Sequence, residues 1–425
     1  MKVLLEGPIL TRSGYGEHAR LVFRSIKDDQ NMDIYINPLN WGNTGWVSEV
    51  SSQDEMNKIE EAINKFSQYF QFTQSSGTKM DFDLHIHVGI LNEFEKKAPK
   101  AISVTAGIET DRVDPSWLIK THQQQVDKII VPSQHSRDMF LKTSFSIENE
   151  KENTRTAIEL RQTTEVDVVP YPCKSFSPET SELEMNLDTK FNFLSVALLG
   201  PRKNMENMIK WFAEEFKDDS DVGLIVKAST VNGSLMDREH TMKALSRALK
   251  NQENRKCKIY LLHGDLSEPE IHSLYNNEKI KCYLTATHGE GYGLPIFEAA
   301  YSGMPIIATN WSGHLDFLSA KIKEGKKEKN KPLFAKVDYE MKEIQKSAVW
   351  QGILMEGSKW AYPRENSFKK QLRNMYKNYG MYKKWATTLK SSLEKTHSES
   401  IVLEKMKNSI LSLTSTSQEE EVFIL

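Results

Sequence analysis

Two glutamates, Glu290 and Glu298, are separated by seven residues inside the stretch Cys282–His314, CYLTATHGEGYGLPIFEAAYSGMPIIATNWSGH. Gly289, Gly291 and Gly293 surround the first of them, so the backbone there can turn sharply and come close to a ligand. Two cations, Arg202 and Lys203, stand in a second stretch, SVALLGPRKN at Ser195–Asn204. Paired cations at a turn that opens a helix are suited to a phosphate: the side chains neutralise it while backbone amides bind its oxygens. Carboxylates beside glycines, and cations beside a helix start, together read as a binding site for an anionic ligand. Alone, the glutamate pair would do no more than complement a helix dipole, for ~0.3–1 kcal/mol per charge.

These residues need elements to hold them. Cys282–Thr287 is short and apolar, as a buried parallel strand should be, and Pro305–Thr309 is another such run. Between them Pro295 fits the first helical position and Gly303 the position just past the helix end. Glu290 then falls in a strand-to-helix loop and Glu298 in the first helical turn, both at the carboxyl edge of a parallel sheet, where open α/β folds bind ligands. Strand-like runs recur at Val3–Glu6, Ile34–Asn37, Asp83–Val88, Ile102–Ala106, Lys128–Pro132 and Val166–Tyr171. They return at Phe191–Leu199, Leu224–Ala228 and Lys258–Leu262. Helical patterns fill the gaps: Ala19, Val22, Phe23 and Ile26 make one apolar stripe, and Met205, Met208, Ile209 and Phe212 another. Ser267 and Glu270 form a capping box. The alternation marks parallel α/β architecture.

The run E-G-Y-G-L-P-x-x-E-A followed by G-x-P-I-I-A-T resembles the signature of the retaining GT-B glycosyltransferases of family 4, and Pro201-Arg202-Lys203-Asn204 matches that family's P-R-K-N element. The resemblance implies two Rossmann-like parallel-sheet domains facing a cleft, with C-terminal helices crossing back to the N-terminal domain. It places Glu298 on the ribose hydroxyls and Glu290 on the donor sugar, with Gly291, Gly293 and Leu294 lining the donor site and Arg202 and Lys203 on the diphosphate. Many relatives carry an arginine six residues before the lysine, where this chain has Ala197. Arg202, or Lys227 at the end of the strand Leu224–Ala228, is the expected substitute.

In the N-terminal half, Val104–Trp117 and Val131-Pro132-Ser133 resemble a subgroup with E-T-D-x-x-x-P-x-W followed by V-P-S. Glu109 stands where many members have a histidine near the reacting carbon, so Glu109 or Asp111 is expected beside the donor sugar or the acceptor hydroxyl. The loop Ser13–Ala19, S-G-Y-G-E-H-A, also fits a dinucleotide fingerprint. Six residues, Gly7–Arg12, separate it from its strand, however, and Ile34–Asn37 lacks the acidic ribose ligand at its end. The resemblance assigns Gly14 and Gly16 instead to approach the donor diphosphate or acceptor. His85 and His87 share one face of a strand, but no carboxylate or cysteine cluster visibly completes a metal site. Asp81-Phe82-Asp83 reads as a turn leading into a strand, so the expected site contains no metal.

With 425 residues the chain exceeds one core, and two domains follow as the prior. Pro172–Lys190, with proline, serine and acidic residues, is the natural linker. It divides the chain into an acceptor-binding domain at 1–185, a nucleotide-sugar domain at 186–370, and C-terminal helices with a polar tail at 371–425. The 56 basic and 58 acidic residues leave a net charge of −2, which gives no electrostatic case for nucleic acid. Three scattered cysteines argue against a disulfide framework. No apolar run reaches membrane-spanning length and the N-terminus lacks a signal-like segment, so a cytoplasmic protein is expected, with peripheral membrane contact open. The lysine-rich run Lys321–Lys331 is read as a solvated insertion loop.

The expected activity is transfer of a hexose from a nucleoside diphosphate sugar, UDP-glucose or GDP-mannose first among them, to an acceptor hydroxyl with retention of configuration. No cofactor beyond that donor is implied; the acceptor is a glycan, a lipid-linked glycan or a small molecule. A non-hydrolysing sugar-nucleotide epimerase and a catalytically silent sugar-nucleotide-binding protein are the alternatives.

Overall fold

The computed structural model describes residues 1–42, 44–45, 53–149, 154–175, 183, 185–231, 233–325 and 327–414. The N-terminal half builds one six-stranded sheet from β1 (Lys2–Gly7), β2 (Asp33–Pro38), β3 (Leu84–Val88), β4 (Lys100–Val104), β5 (Lys128–Val131) and β8 (Glu165–Val168). A side hairpin, β6 (Phe145–Asn149) and β7 (Thr154–Ile158), precedes its last strand. The order is β2-β1-β3-β4-β5-β8, and every pairing is parallel. Parallel neighbours require crossovers, and α1 (Gly14–Ile26), α2 (Gln53–Ser76), α3 (Pro115–Gln123) and α4 (Gln134–Lys142) supply them.

The second half repeats the plan with β9 (Phe191–Leu198), β10 (Val222–Ser229), β11 (Lys258–Leu262), β12 (Ile280–Leu284), β13 (Ile306–Thr309) and β16 (Ala335–Val337), in the order β11-β10-β9-β12-β13-β16. Its crossovers include α5 (Met205–Glu215), α6 (Leu235–Ala248), α7 (Glu268–Asn276) and α8 (Leu294–Tyr301). The methionine stripe is core: Met205, Met208, Ile209 and Phe212 are buried with Phe193 and Phe216. Ser267 and Glu270 cap α7 reciprocally, as the sequence pattern requires.

Three further helices, α9 (Glu365–Lys377), α10 (Tyr379–Thr396) and α11 (Glu399–Leu411), close the chain. α9 stays on the second sheet, where Arg373 pairs with Glu215 and Asp219. α11 returns to the first: Lys128 Nζ donates to the Ser409 carbonyl at 3.1 Å and to Ser412 Oγ at 2.6 Å, and Lys407 pairs with Asp29 at 2.9 Å. The chain is therefore a two-domain Rossmann-like α/β protein of the GT-B type, with its C-terminal helix on the N-terminal domain. No helix among the described residues is long and apolar enough to cross a membrane.

Local expectations shift in three places. The run Lys321–Lys331 is a hairpin, β14 (Ser319–Glu324) against β15 (Lys327–Pro332), because Ala320 and Ile322 give it an apolar side to lay on the body while Gly325 turns at φ +64°. β12 ends at Leu284, not at Thr287. Pro295 is the second residue of α8 because Gly293, at φ +93°, starts the helix one residue early, and Glu298 is consequently fifth, just beyond the first turn. Of the tail, Thr414 is described, and Ser415–Glu421 lies outside the described residues.

Candidate active site

Glu290 is the centre of a charged cluster on the facing edges of the two sheets. Its Oε2 accepts from Arg202 Nη1 at 2.7 Å and its Oε1 from Lys203 Nζ at 2.6 Å. Arg202 also reaches across to the first domain, where its Nε lies 2.8 Å from Glu109 Oε2. Two carboxylates and two cations are thus packed into one net-neutral group, with side chains between 6% and 22% exposed.

The local backbone explains the grouping. Pro201–Lys203 form a single turn at the end of β9, and Asn204 then enters α5 in the left-handed region at φ +51°. The Arg202 carbonyl accepts from His288 N at 2.8 Å and its Nη1 donates to the Gly289 carbonyl at 2.7 Å, so the two loops are bonded to each other. Ser312 fixes Glu290 from behind: its Oγ accepts from Glu290 N at 2.9 Å, and Gly313 N donates to the Glu290 carbonyl at 2.9 Å.

Electrostatics follow from that geometry. Burial opposes ionisation of Glu290, yet Arg202 and Lys203 outweigh it and hold the carboxyl far below the usual range. Burial and the Arg202 charge push the Lys203 ammonium down, while Glu290 and Glu109 pull it back. For Glu109 burial dominates and moves the carboxyl up, against the pull of Arg202.

Glu298 lies apart from this cluster. Its Oε2 accepts from the Tyr275 hydroxyl at 3.0 Å, and burial pushes its carboxyl up to about 7, against the opposing charge of Lys174 and the Tyr275 hydrogen bond. The Tyr283 hydroxyl donates to the Val196 carbonyl at 3.1 Å, and burial, with the charges of both glutamates, pushes it up.

The glycines do unequal work. A Cβ on Gly291 would stand 1.8 Å from the Ala106 carbonyl oxygen and one on Gly289 2.3 Å from that of Glu109, so both are required by the approach of the first domain. The Gly291 carbonyl accepts from Ser133 Oγ at 2.6 Å, which gives the V-P-S element a bridging role. Gly293 supplies the left-handed start of α8, and Gly14 meets Leu294 of the second domain, where a Cβ on Gly14 would lie 3.9 Å from Leu294 Cδ1. Gly16 has a local role: its amide donates to Ser13 Oγ at 2.9 Å, capping α1, and its lack of a side chain admits the Thr11 carbonyl.

Lys227, the other expected substitute cation, has a backbone partner. Its Nζ donates to the Gly264 carbonyl at 2.7 Å, toward the β11 side of the sheet, and burial lowers its pKa. Arg202 is the cation brought to Glu290. Asp111 serves the domain contact, accepting from Lys359 N at 2.7 Å while its own amide donates to the Lys359 carbonyl at 2.8 Å. His85 bonds to buried Glu6 at 3.2 Å, and Asp83 accepts from Lys2 N at 2.7 Å at the start of β3. Among the described residues, no group of three or more His, Cys, Asp or Glu is arranged to hold a metal.

Sequence reasoning missed Tyr275, Lys174 and the bridging role of Ser133. Tyr275 sits eight residues after the capping-box serine on an amphipathic helix, where it reads as core. Only the tertiary fold turns its hydroxyl to Glu298.

Residues 180–330 match the family model described as glycosyl transferases group 1. No curated protein matches the chain. Among solved structures, the chain is similar to a sucrose-phosphate synthase from Thermosynechococcus elongatus, at 11% identity and TM-score 0.60, covering 97% of this chain and 99% of that one. It is similar to Anabaena HepE, solved in complex with UDP-glucose, at 12% identity and TM-score 0.59, covering 97% and 100%. A glycosyltransferase from Rickettsia africae is likewise similar, at 11% identity and TM-score 0.57, covering 98% and 99%. At these identities the likeness is one of fold.

Proposed function

We propose that the cleft binds a nucleoside diphosphate sugar and transfers its hexose to an acceptor hydroxyl with retention of anomeric configuration. The observation that carries this reading is the single carboxylate of Glu290 held by both Arg202 and Lys203 at the facing edges of the two sheets. The match of residues 180–330 to a glycosyltransferase family model supports it.

The chemistry follows from charge. As the bond from sugar to diphosphate breaks, negative charge grows on the leaving oxygen. Cations already fixed in place stabilise that state more than the bound donor, and so they accelerate the reaction. Glu290 keeps the two cations in position before the donor arrives and then shares them with it, turning toward the sugar. Glu298, oriented by Tyr275, accepts from the ribose hydroxyls. A diphosphate oxygen on the same face takes the acceptor proton as the new bond forms, which preserves configuration. Glu109, from the opposite domain, stands where the acceptor approaches. The charge on the diphosphate is met by side chains, so turnover needs no divalent ion.

The test is chromatography of products after incubation with UDP-glucose, GDP-mannose and other donors, with and without glycan and lipid-linked acceptors. Glycosylated acceptor supports the reading. Interconversion of free donors makes the protein an epimerase, and binding without conversion makes it a silent binding protein.

A further inference from the structure

Outside the two six-stranded sheets stands a two-stranded one, β17 (Tyr339–Glu343) paired antiparallel with β18 (Lys359–Pro363). It has a small core of its own, Ile344, Ala348, Leu354 and Trp360, against which Trp311 packs. Trp311 in turn lies on the Glu290 loop, since a Cβ on Gly289 would stand 2.7 Å from its ring. One edge of β18 faces β17. The other edge, left bare, would be a row of unpaired amides and carbonyls.

Two residues from different domains fill that bare edge. At Lys359, Asp111 of the first domain donates its amide to the carbonyl at 2.8 Å and accepts the Lys359 amide on Oδ1 at 2.7 Å. Ala361, two residues on, presents its backbone groups on the same edge. There His288 of the second domain accepts the Ala361 amide on its own carbonyl at 3.0 Å, and its Nδ1 donates to the Ala361 carbonyl at 2.7 Å. A carbonyl can only accept, so Nδ1 carries the ring proton. The His288 ring also stacks on Trp360, with centroids 4.9 Å apart. Both residues adjoin the charged cluster: Asp111 follows Glu109 by two positions, His288 precedes Glu290 by two, and the His288 amide donates to the Arg202 carbonyl at 2.8 Å. The first domain has one more hold on the same segment, where Trp117 Nε1 donates to the Gly352 carbonyl at 2.7 Å.

We propose that Asp111 and His288 are positioning residues of the transfer reaction: gripping the same edge of β18 from the two domains, they hold the Glu109 loop and the Glu290 loop in fixed relation around Arg202. The inference rests on the reading of Glu290, Arg202 and Lys203 as the donor site. It goes further in giving the β17–β18 hairpin a part in the reaction that neither sheet supplies. Because the link runs in series, from Glu109 through Asp111, β18 and His288 to Glu290, breaking either end breaks the whole. The second break then adds little.

The experiment has two readouts. In steady-state kinetics, Asp111→Ala and His288→Phe, the second keeping a ring against Trp360, are each expected to lower kcat about tenfold or more while donor KM changes less than about threefold. Asp111→Asn keeps the acceptor and His288→Asn keeps a donor, so each recovers most of that loss, and the double variant Asp111→Ala/His288→Phe falls no further than the lower single one. Site-resolved hydrogen exchange needs no substrate: Asp111→Ala should speed exchange at Ala361 as well as at Lys359, and His288→Phe at Lys359 as well as at Ala361, each about tenfold. Exchange that quickens only at the residue facing the substitution overturns the inference, as do fully additive kcat losses or a KM that rises as much as kcat falls. A wild-type protein that turns over no nucleotide sugar overturns the reading of function instead, and the exchange pattern then decides by itself whether β18 links the two loops.

Discussion

Glu109 and Arg202 form an ion pair of 2.8 Å that joins the two domains, and the same guanidinium holds Glu290. The contact between the two domains and the arrangement of the cation cluster are therefore parts of one network. The pair is partly exposed, so its value lies between that of a surface pair and that of a buried one, about 1–3 kcal/mol. Burial already opposes the charged form of Glu109, so Glu109→Gln alone does not read the pair. Glu109→Gln, Arg202→Gln and the double variant, compared by thermal unfolding, should show a coupling of that size, because a double-mutant cycle isolates the shared contact. Fully additive losses would show that the two residues do not act on each other.

Lys203 and Arg202 should both matter more to turnover than to binding. Each replacement by alanine is expected to lower kcat ~100-fold or more, by analogy with losing one preorganised donor, with a smaller rise in KM. Lys227→Ala should change kcat little, since its ammonium is engaged by the Gly264 carbonyl. Steady-state kinetics on the three variants checks this. A normal kcat for Lys203→Ala would remove the cation cluster from the mechanism.

How much of this could be read beforehand depends on range. The cation turn and glycine loop are local patterns, and the eleven strand-like runs all correspond to strands, because buried parallel strands leave short apolar runs whatever their partners. Lys321–Lys331 shows the limit: composition suggested a loop, but strand pairing there depends on alternate residues meeting the protein body. The partner of Lys227 was likewise not legible, since a cation at a strand end can turn to either side, and here its ammonium donates to the Gly264 carbonyl. The bond between Tyr275 and Glu298 spans two helices and leaves no spacing signature.

Glu298 should make the donor-free protein less stable as pH rises. Its folded-state pKa, about 7, exceeds the ordinary glutamate value of 4.5, so the folded form holds its proton more tightly. That contribution to stability is full below the unfolded value and is lost as pH rises through about 7. Glu298→Gln, neutral throughout, should therefore melt higher than wild type at alkaline pH, with the gap closing toward acid. Thermal unfolding followed over a pH series tests it, and a pH-independent gap would contradict the assignment.

Activity should survive chelation. On the proposed reading Arg202 and Lys203 would meet the diphosphate charge without a bridging ion, so EDTA is expected to leave turnover nearly unchanged. Complete loss, restored by manganese or magnesium, would direct attention to Asp81, Asp83, His85 and His87.

The most direct measurement is calorimetric titration of UDP and GDP into the wild-type protein, Lys203→Ala and Glu298→Ala. One nucleotide should bind the wild type, and each variant should bind it tenfold or more weakly, since each loses a charged hydrogen bond worth ~1.5–3 kcal/mol. Folded variants that bind as tightly as wild type, or a wild-type protein that binds neither nucleotide, would contradict the account.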